Sequence, residues 1–523
     1  MRSFLVLTLI GALGFLVGCG SNGTPAGVVI SIQLTPSSAN LNANQSVNIT
    51  ASVANDSSGK GVSWSLTGAG ALNNQTTTGV TYTAPATVTS TFVATVVATS
   101  IATSTVTASA AITVSPAGTI ANVVPIVVDG GPLTTANPPA IYTNAAFVSV
   151  QICATNGACQ TVPDILVDTG SFGLRVLGSQ LSSQLSSGLT PLTSGSGTLY
   201  DCVSFVDGSF LWGAVAQANI IVGGETATST SIQIIANPSF SIPGTCSDNG
   251  AGENEDTQGT LGANGILGVG PEPFDCGSAC DPSAGGNAPA VYYSCGSGGN
   301  CSTAFVSCGT LCSDPVANQQ VTNPVFNFPV DNNGTILTLP QVSDVAPSVN
   351  GTLTFGIGTE SNNTIPSSAT LFTLSNDNFT TNFESQALTA SFIDSGSNGI
   401  FFPQINNSPN ICTDNNSWYC PATTTQFTAT NVDPNTNTTS NTVTFSVDDF
   451  DTVTQANPSD AAFSNIAGPL GSGACSSSNT SACSFDWGLP FFYGRSVFTG
   501  IDGATPQSGL PVCNTLQCPF WAY

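Results

Sequence analysis

Apolar and polar positions alternate in short runs between residues 27 and 116. SVNITASVA (46–54) and TFVATVVATS (91–100) carry apolar side chains on every second position, the period of strands with one buried face. Turn-rich breaks separate these runs, which predicts a β-sandwich with Trp64 of GVSWSLTG filling its core. From about residue 120 the chain is again strand-rich, punctuated by Gly, Pro and Asn, without long amphipathic helices. An irregular Cys/Gly/Ser-rich stretch at 271–324 reads as inserted loops held by disulfides. The predicted fold class is all-β.

The N-terminus has a different pattern. Arg2 precedes an apolar run from Phe4 to Val17, too short and too close to the terminus for an ordinary membrane span. It ends in Leu16-Val17-Gly18-Cys19, which resembles the lipobox of bacterial lipoproteins. That resemblance implies a signal peptide over 1–18, a lipid on Cys19 and a polar spacer over 19–26. The alternative is an ordinary signal peptide with an incidental cysteine. Gly20, where an Asp would retain the protein at the inner membrane, implies by the same resemblance a lipid-anchored place in the bacterial cell envelope, at the outer membrane or cell surface. The segments ISIQLTPSSANL, GVSWSLTGAGAL and TYTAPATV resemble bacterial immunoglobulin-like modules, so 27–116 is expected to be an Ig-like spacer rather than a ligand-binding domain.

Composition narrows the chemistry. The chain has 523 residues, of which 41% are hydrophobic and only 6% charged, enough for several domains with a sizeable core. It carries 29 Asp and Glu against 4 Lys and Arg, a formal charge of −25, and no histidine. Without imidazole there is no Ser–His–Asp triad, Cys–His dyad or HExxH zinc site. So few cations cannot neutralise a phosphate backbone, which excludes nucleic acid as a partner. No DxDxDG calcium loop is present, and the sequence calls for neither metal nor cofactor. An acidic setting is permitted, because few ion pairs exist for acid to break.

Setting Cys19 aside leaves an even number of cysteines, most in close neighbouring pairs. These are Cys153/Cys159, Cys276/Cys280, Cys295/Cys301, Cys308/Cys312, Cys412/Cys420, Cys475/Cys483 and Cys513/Cys518, which leaves Cys202 and Cys246 to pair across a longer loop. Local disulfides in an oxidising compartment are expected. The rival is a four-thiolate metal site built from Cys276, Cys280, Cys308 and Cys312.

Two segments carry candidate chemistry. Ile165-Leu166-Val167-Asp168-Thr169-Gly170-Ser171 and Ser391-Phe392-Ile393-Asp394-Ser395-Gly396-Ser397 are each an apolar strand ending in Asp, a hydroxyl residue, Gly and a second hydroxyl. Gly allows close backbone approach in such a turn, and the hydroxyls can brace it. Two such turns face to face would bring two carboxylates together, which then share one proton. The ionised member can activate water while the protonated one assists a carbonyl.

The pattern resembles the pepsin-like aspartic proteases. Beyond the two turns, Phe205-Val206-Asp207-Gly208-Ser209 with GAVAQANIIVGG (213–224) resembles the flap hairpin and its following strand. Asn264-Gly265-Ile266-Leu267-Gly268-Val269-Gly270 and Asp486-Trp487-Gly488-Leu489-Pro490-Phe491-Phe492 resemble the hydrophobic-hydrophobic-Gly segments of the two lobes. Gly351-Thr352-Leu353-Thr354-Phe355-Gly356 resembles the opening of the second lobe. The likeness implies two β-barrel lobes about a central cleft, the first over 120–345 with the 271–324 insertion and the second over 346–523. DILVDTGSFGLRV also resembles a bacterial family of exported proteins whose function is not established. Two departures stand out. The flap tyrosine is absent, its nearest counterpart being Phe205, with Phe210 and Trp212 as rivals. The tryptophan that braces it is replaced by Arg175, either a local structural residue paired with a surface acid or a cation beside the dyad.

The resemblance implies a surface-tethered aspartic endopeptidase acting on polypeptide. Asp168 and Asp394 would be catalytic, Thr169, Gly170, Ser171, Ser395, Gly396 and Ser397 supporting, and Phe205 in the flap. The alternative is a non-catalytic module of the same fold that binds peptide or glycan. A third reading is an adhesin in which the sandwich is the active part.

Overall fold

The computed structural model describes residues 30–523 except 36–37, 44–45, 89–91, 116–121, 135, 137–139, 236–239, 282–289, 297–298, 307–318, 473–474 and 477–482. The leader, Cys19 and the whole spacer lie outside the described residues, as does the expected Cys308–Cys312 pair. The chain is all-β: α-helix is confined to the short segments Ser183–Gly188, Gln258–Leu261 and Phe450–Ala456 among the described residues. It divides into two compact units at residue 120.

The first unit is a sandwich of two four-stranded sheets. One has Ser31–Thr35, Ser46–Ala54, Gly79–Thr83 and Ala71–Asn73 side by side; the other has Ser38–Asn42, Thr107–Ser115, Phe92–Ser100 and Val62–Thr67. The alternation seen in the sequence becomes the two faces of each strand, with Ile49, Tyr82, Ala94, Val96, Ala98, Ile112 and Val114 fully buried in one core. Trp64 does not plug this core. It is half-buried against the edge, its indole N–H bonded to the Thr76 carbonyl at 2.8 Å. Tyr82 is the aromatic inside, and its hydroxyl donates to Ala69 O at 2.8 Å. A tyrosine hydroxyl at the rim of a core finds a carbonyl easily, which lets the ring be buried without stranding a polar group.

In the second unit the strands Phe147–Cys153, Cys159–Asp168, Gly265–Val269, Phe172–Leu177, Glu225–Ile235 and Phe210–Val222 pair in that order. Phe210–Val222 then pairs back onto Phe147–Cys153, so the ring closes into a barrel. All of its strands contribute to one interior, among them Val150, Ile152, Val167, Leu174, Ala216, Ile220, Ile232 and Leu267. Each large aliphatic group buried there contributes about 1.5–3 kcal/mol.

A second set of strands, Val123–Val128, Val349–Phe355, Gly334–Leu339, Arg495–Gly500, Phe520–Ala522 and Leu371–Thr373, continues the same sheet. It ties residues from both ends of the unit together, and Gly334–Leu339 joins strands on the far side of the expected 345/346 boundary. A separate sheet, in the order Ser440–Val447, Thr425–Val432, Phe379–Phe383, Gln386–Ile393, Asp486–Trp487, Ile400–Gln404 and Ala467–Ser472, carries the second Asp turn. Its core is unusually aromatic, with Phe383, Phe402, Phe445, Phe485 and Trp487 in ring contact.

Among the described residues, seven disulfides join Cys153–Cys159, Cys202–Cys246, Cys276–Cys280, Cys295–Cys301, Cys412–Cys420, Cys475–Cys483 and Cys513–Cys518. With Cys276 and Cys280 bonded to one another, the four-thiolate metal alternative loses two of its ligands. No helix among the described residues is long and apolar enough to cross a membrane.

Candidate active site

Both Asp turns are built alike. The Cys159–Asp168 strand runs into the core from Ile165 and ends at Asp168, where Gly170 N–H bonds Asp168 Oδ1 at 2.8 Å and the Ser171 hydroxyl bonds Oδ2 at 2.5 Å. The Gln386–Ile393 strand leads to Asp394, where Gly396 N–H bonds Oδ1 at 2.7 Å and the Ser397 hydroxyl bonds Oδ2 at 2.9 Å. In each half a third strand wedges between the two arms of the turn. Gly265–Val269 is parallel to Cys159–Asp168 and antiparallel to Phe172–Leu177, and Asp486–Trp487 stands in the same way to Gln386–Ile393 and Ile400–Gln404.

The turns meet tip to tip. Thr169 N–H donates to Ser395 Oγ at 3.1 Å, and Ser395 N–H donates to Thr169 Oγ1 at 2.9 Å. Each hydroxyl then donates across to the strand before the opposite turn, Thr169 to Ile393 O at 3.0 Å and Ser395 to Val167 O at 2.7 Å. Thr169 and Ser395 are fully buried, so all of these bonds are shielded from water. The two hydroxyl residues expected to brace the turns do so reciprocally.

This grip sets the carboxyls side by side. Asp168 is 6% exposed, while Asp394 keeps a partial opening to solvent. Burial first, then the Asp168 carboxyl beside it, then Asp486, hold Asp394 well above the usual carboxylate range. A carboxyl in that position holds its proton more firmly than an ordinary one, as when one proton serves two neighbouring groups.

A family model described as a protein of unknown function, DUF3443, matches residues 118–523. The chain belongs to this family. The match contains the barrel, both Asp turns and the final strand, and leaves out the sandwich. No curated protein matches the chain.

Within the DUF3443 region the hairpin Gly197–Ser204/Phe210–Val222 turns at 205–209. Phe205 N–H bonds Ser209 O at 2.9 Å and its ring is half-buried, while Val206 at the tip is 74% exposed. Of the rivals, Phe210 and Trp212 are buried among Tyr200 and Tyr293 and cannot face a cleft. Phe205 instead shares an apolar cluster with Leu166, Ile266 and Tyr142. Tyr142 carries the hydroxyl that Phe205 lacks. Burial, followed by the charges of Glu255, Asp207, Asp394 and Asp168, pushes its phenol up.

Arg175 is a structural cation paired with buried acids rather than with a surface one. It is 1% exposed, bonded to Asp201 on the Gly197–Ser204 strand, to Asp275 at 3.0 Å and to Gln233 at 3.2 Å. Tyr292 donates to Asp275 Oδ1 at 2.6 Å and extends the network.

Cys412, Cys420 and Asp451 are the one potential metal-ligand group among the described residues, but the two sulfurs are bonded to one another and offer no thiolate. Surface depressions of about 410 Å³ along 340–350 and about 260 Å³ beside Ile141, Thr454 and Phe463 include no residue of either turn. The residue that sequence reading missed is Asp486. The signal was present: comparing DWG (486–488) with ILG (266–268) puts an acid where the first half has Ile266.

Proposed function

We propose that the DUF3443 region is an aspartic endopeptidase in which Asp168 and Asp394 share a proton and activate water against a peptide carbonyl. The observation that supports this most is the reciprocal Thr169–Ser395 bonding between the two Asp turns, together with an Asp394 carboxyl held well above the usual carboxylate range beside Asp168. In this reading the ionised carboxylate takes a proton from water as it attacks, and the protonated one donates toward the carbonyl oxygen. Gly170 N–H and Gly396 N–H, with the Ser171 and Ser397 hydroxyls, fix the orientation of the carboxyls. Phe205 would cover an extended peptide, with the hairpin as flap and backbone hydrogen bonds carrying much of the affinity. The disulfides fit an extracytoplasmic site of action, and a lipid on Cys19 would tether the protein to the envelope. The alternative, peptide or glycan binding without cleavage, draws on the missing flap hydroxyl at Phe205.

The test is cleavage of a mixed peptide library from acid to neutral pH by the whole chain and by Asp168→Asn and Asp394→Asn. Loss of cleavage in both variants with folding intact is the expected result. Cleavage surviving both substitutions would remove the dyad from the mechanism, and saturable binding without cleavage would favour the alternative.

A further inference from the structure

The two halves of the centre offer an internal comparison. In the first, Leu166 is paired with Ile266 one step before Val167 and Leu267; in the second, Phe392 is paired with Asp486 one step before Ile393 and Trp487. Asp486 therefore occupies the place of Ile266, an apolar residue 3% exposed. A carboxyl stands where the fold needs only a hydrophobe.

Asp486 is itself 5% exposed, and its Oδ1 has no hydrogen-bond partner among the described residues. Side chains alternate along a strand, so Asp486, Phe392 and Asp394 share the face opposite Ile393 and Trp487, which point into the aromatic core. The other flanking strand presents Phe401 opposite Asp486. The polar group that meets Asp486 is Ser397, whose hydroxyl already donates to Asp394 Oδ2 at 2.9 Å. A serine hydroxyl has a single hydrogen and two lone pairs. It cannot donate to both carboxylates, so an acid on the far side must carry its own proton and donate to Ser397.

We propose that Asp486 is a third carboxyl of the centre, a positioning residue that donates its proton to Ser397 Oγ and so completes a chain from Asp486 through Ser397 to Asp394. The chain orients the outer oxygen of Asp394 and polarises the Ser397 hydroxyl toward it. The titratable groups facing Asp486 are Asp394 and Asp168; Phe392, Phe401 and Ser397 carry no charge. Burial first, with the Asp168 charge adding, holds Asp486 well above the ordinary range, and a proton donated to Ser397 favours the neutral form further. Its catalytic consequence rests on the endopeptidase reading, but its protonation does not.

Two readouts separate these. The first is the infrared spectrum of the folded chain at about pH 6, some two units above an ordinary aspartate. The difference between native chain and Asp486→Asn should show the loss of a protonated-carboxyl band. Loss of an ionised-carboxylate band instead overturns the proposal, whether or not the protein cleaves peptides. The second is the pH profile of cleavage. Asp486→Asn keeps a donor and cannot ionise, so it should retain activity at acid pH within about threefold and move the alkaline limb upward by about half a unit or more. Asp486→Ile, which gives the second half the same residue type as Ile266 in the first, lacks the donor and should lower kcat about tenfold with little change in KM. An unmoved limb in Asp486→Asn together with full activity in Asp486→Ile overturns the positioning role. Absence of cleavage in the native chain would count against the endopeptidase reading alone and leave the infrared result to decide.

Discussion

Gly170 stands so close to Asp394 that a methyl group on the glycine would lie 2.5 Å from the carboxyl carbon. The relation is mutual, since a methyl on Gly396 would lie 2.7 Å from the carboxyl carbon of Asp168. Neither glycine has a positive φ, so close approach, not backbone strain, requires them. Each turn makes room for the acid of the other.

Gly170→Ala and Gly396→Ala should therefore push the carboxyls apart rather than unfold the protein. The overpacking costs about 1–3 kcal/mol. Misplacement of the reacting groups by about 1 Å lowers kcat/KM about 100-fold. Thermal unfolding alongside cleavage rates checks this, and a variant with native rates would mean that the approach is not needed.

Thr169→Ala and Ser395→Ala each remove a buried hydroxyl that donates once and accepts once. Each should cost about 1–3 kcal/mol, because the opposite backbone N–H and C=O lose their partners. The double variant should cost less than the sum of the two, since both take part in one bonding pattern. Urea unfolding of the four forms measures the coupling, and strict additivity would contradict a shared grip.

Stability should fall as pH rises. Burial leads the causes that hold Asp394 and Asp486 well above the ordinary range, and it holds Glu225 and Glu255 up at about 7 and Glu272 at about 9. The folded chain then binds protons that the unfolded chain has released, so unfolding free energy declines with pH between the ordinary carboxylate range near 4 and these raised values. Melting temperature should be higher at about pH 4 than at about pH 8. Asp486→Asn should recover part of the difference at the higher pH only. A melting temperature that rises from acid to neutral pH would contradict the prediction.

Replacing Arg175 by Met should be among the most damaging single changes in the barrel. It leaves Asp201 and Asp275 facing one another in a site closed to water, a loss of about 3–5 kcal/mol for a broken buried pair. Asp201 is already pushed up to about 7 by burial, despite the Arg175 charge. The variant should accordingly recover stability at acid pH, where both acids are neutral. Denaturant midpoints across pH test this, and a pH-independent loss would point to packing rather than charge.

Much of this architecture is written in local pattern. Strand alternation around Ile49 and Val96 and the two Asp-hydroxyl-Gly turns depend on neighbours within a few residues, and the structure follows them. The cysteine pairs that it describes are likewise those expected from spacing. Three features depended on distant partners. Trp64 reads as a core residue by size, but the sandwich seats Tyr82 inside because its hydroxyl reaches a carbonyl at the rim. Arg175 pairs with acids that no spacing rule connects to it, since they converge only when the barrel closes. Asp486 was legible only by aligning one half of the chain on the other, where an apolar position turns acidic.

The bridges also bear on how the chain matures. All but Cys202–Cys246 join cysteines separated by 4 to 8 positions. Loops that short close with little entropic cost and find their ends quickly. Nearly every thiol thus meets its proper mate in the stretch of polypeptide just synthesised, before a wrong one has emerged. Oxidative maturation can proceed piecewise in order of emergence, with little demand for an isomerase to unscramble mispaired intermediates.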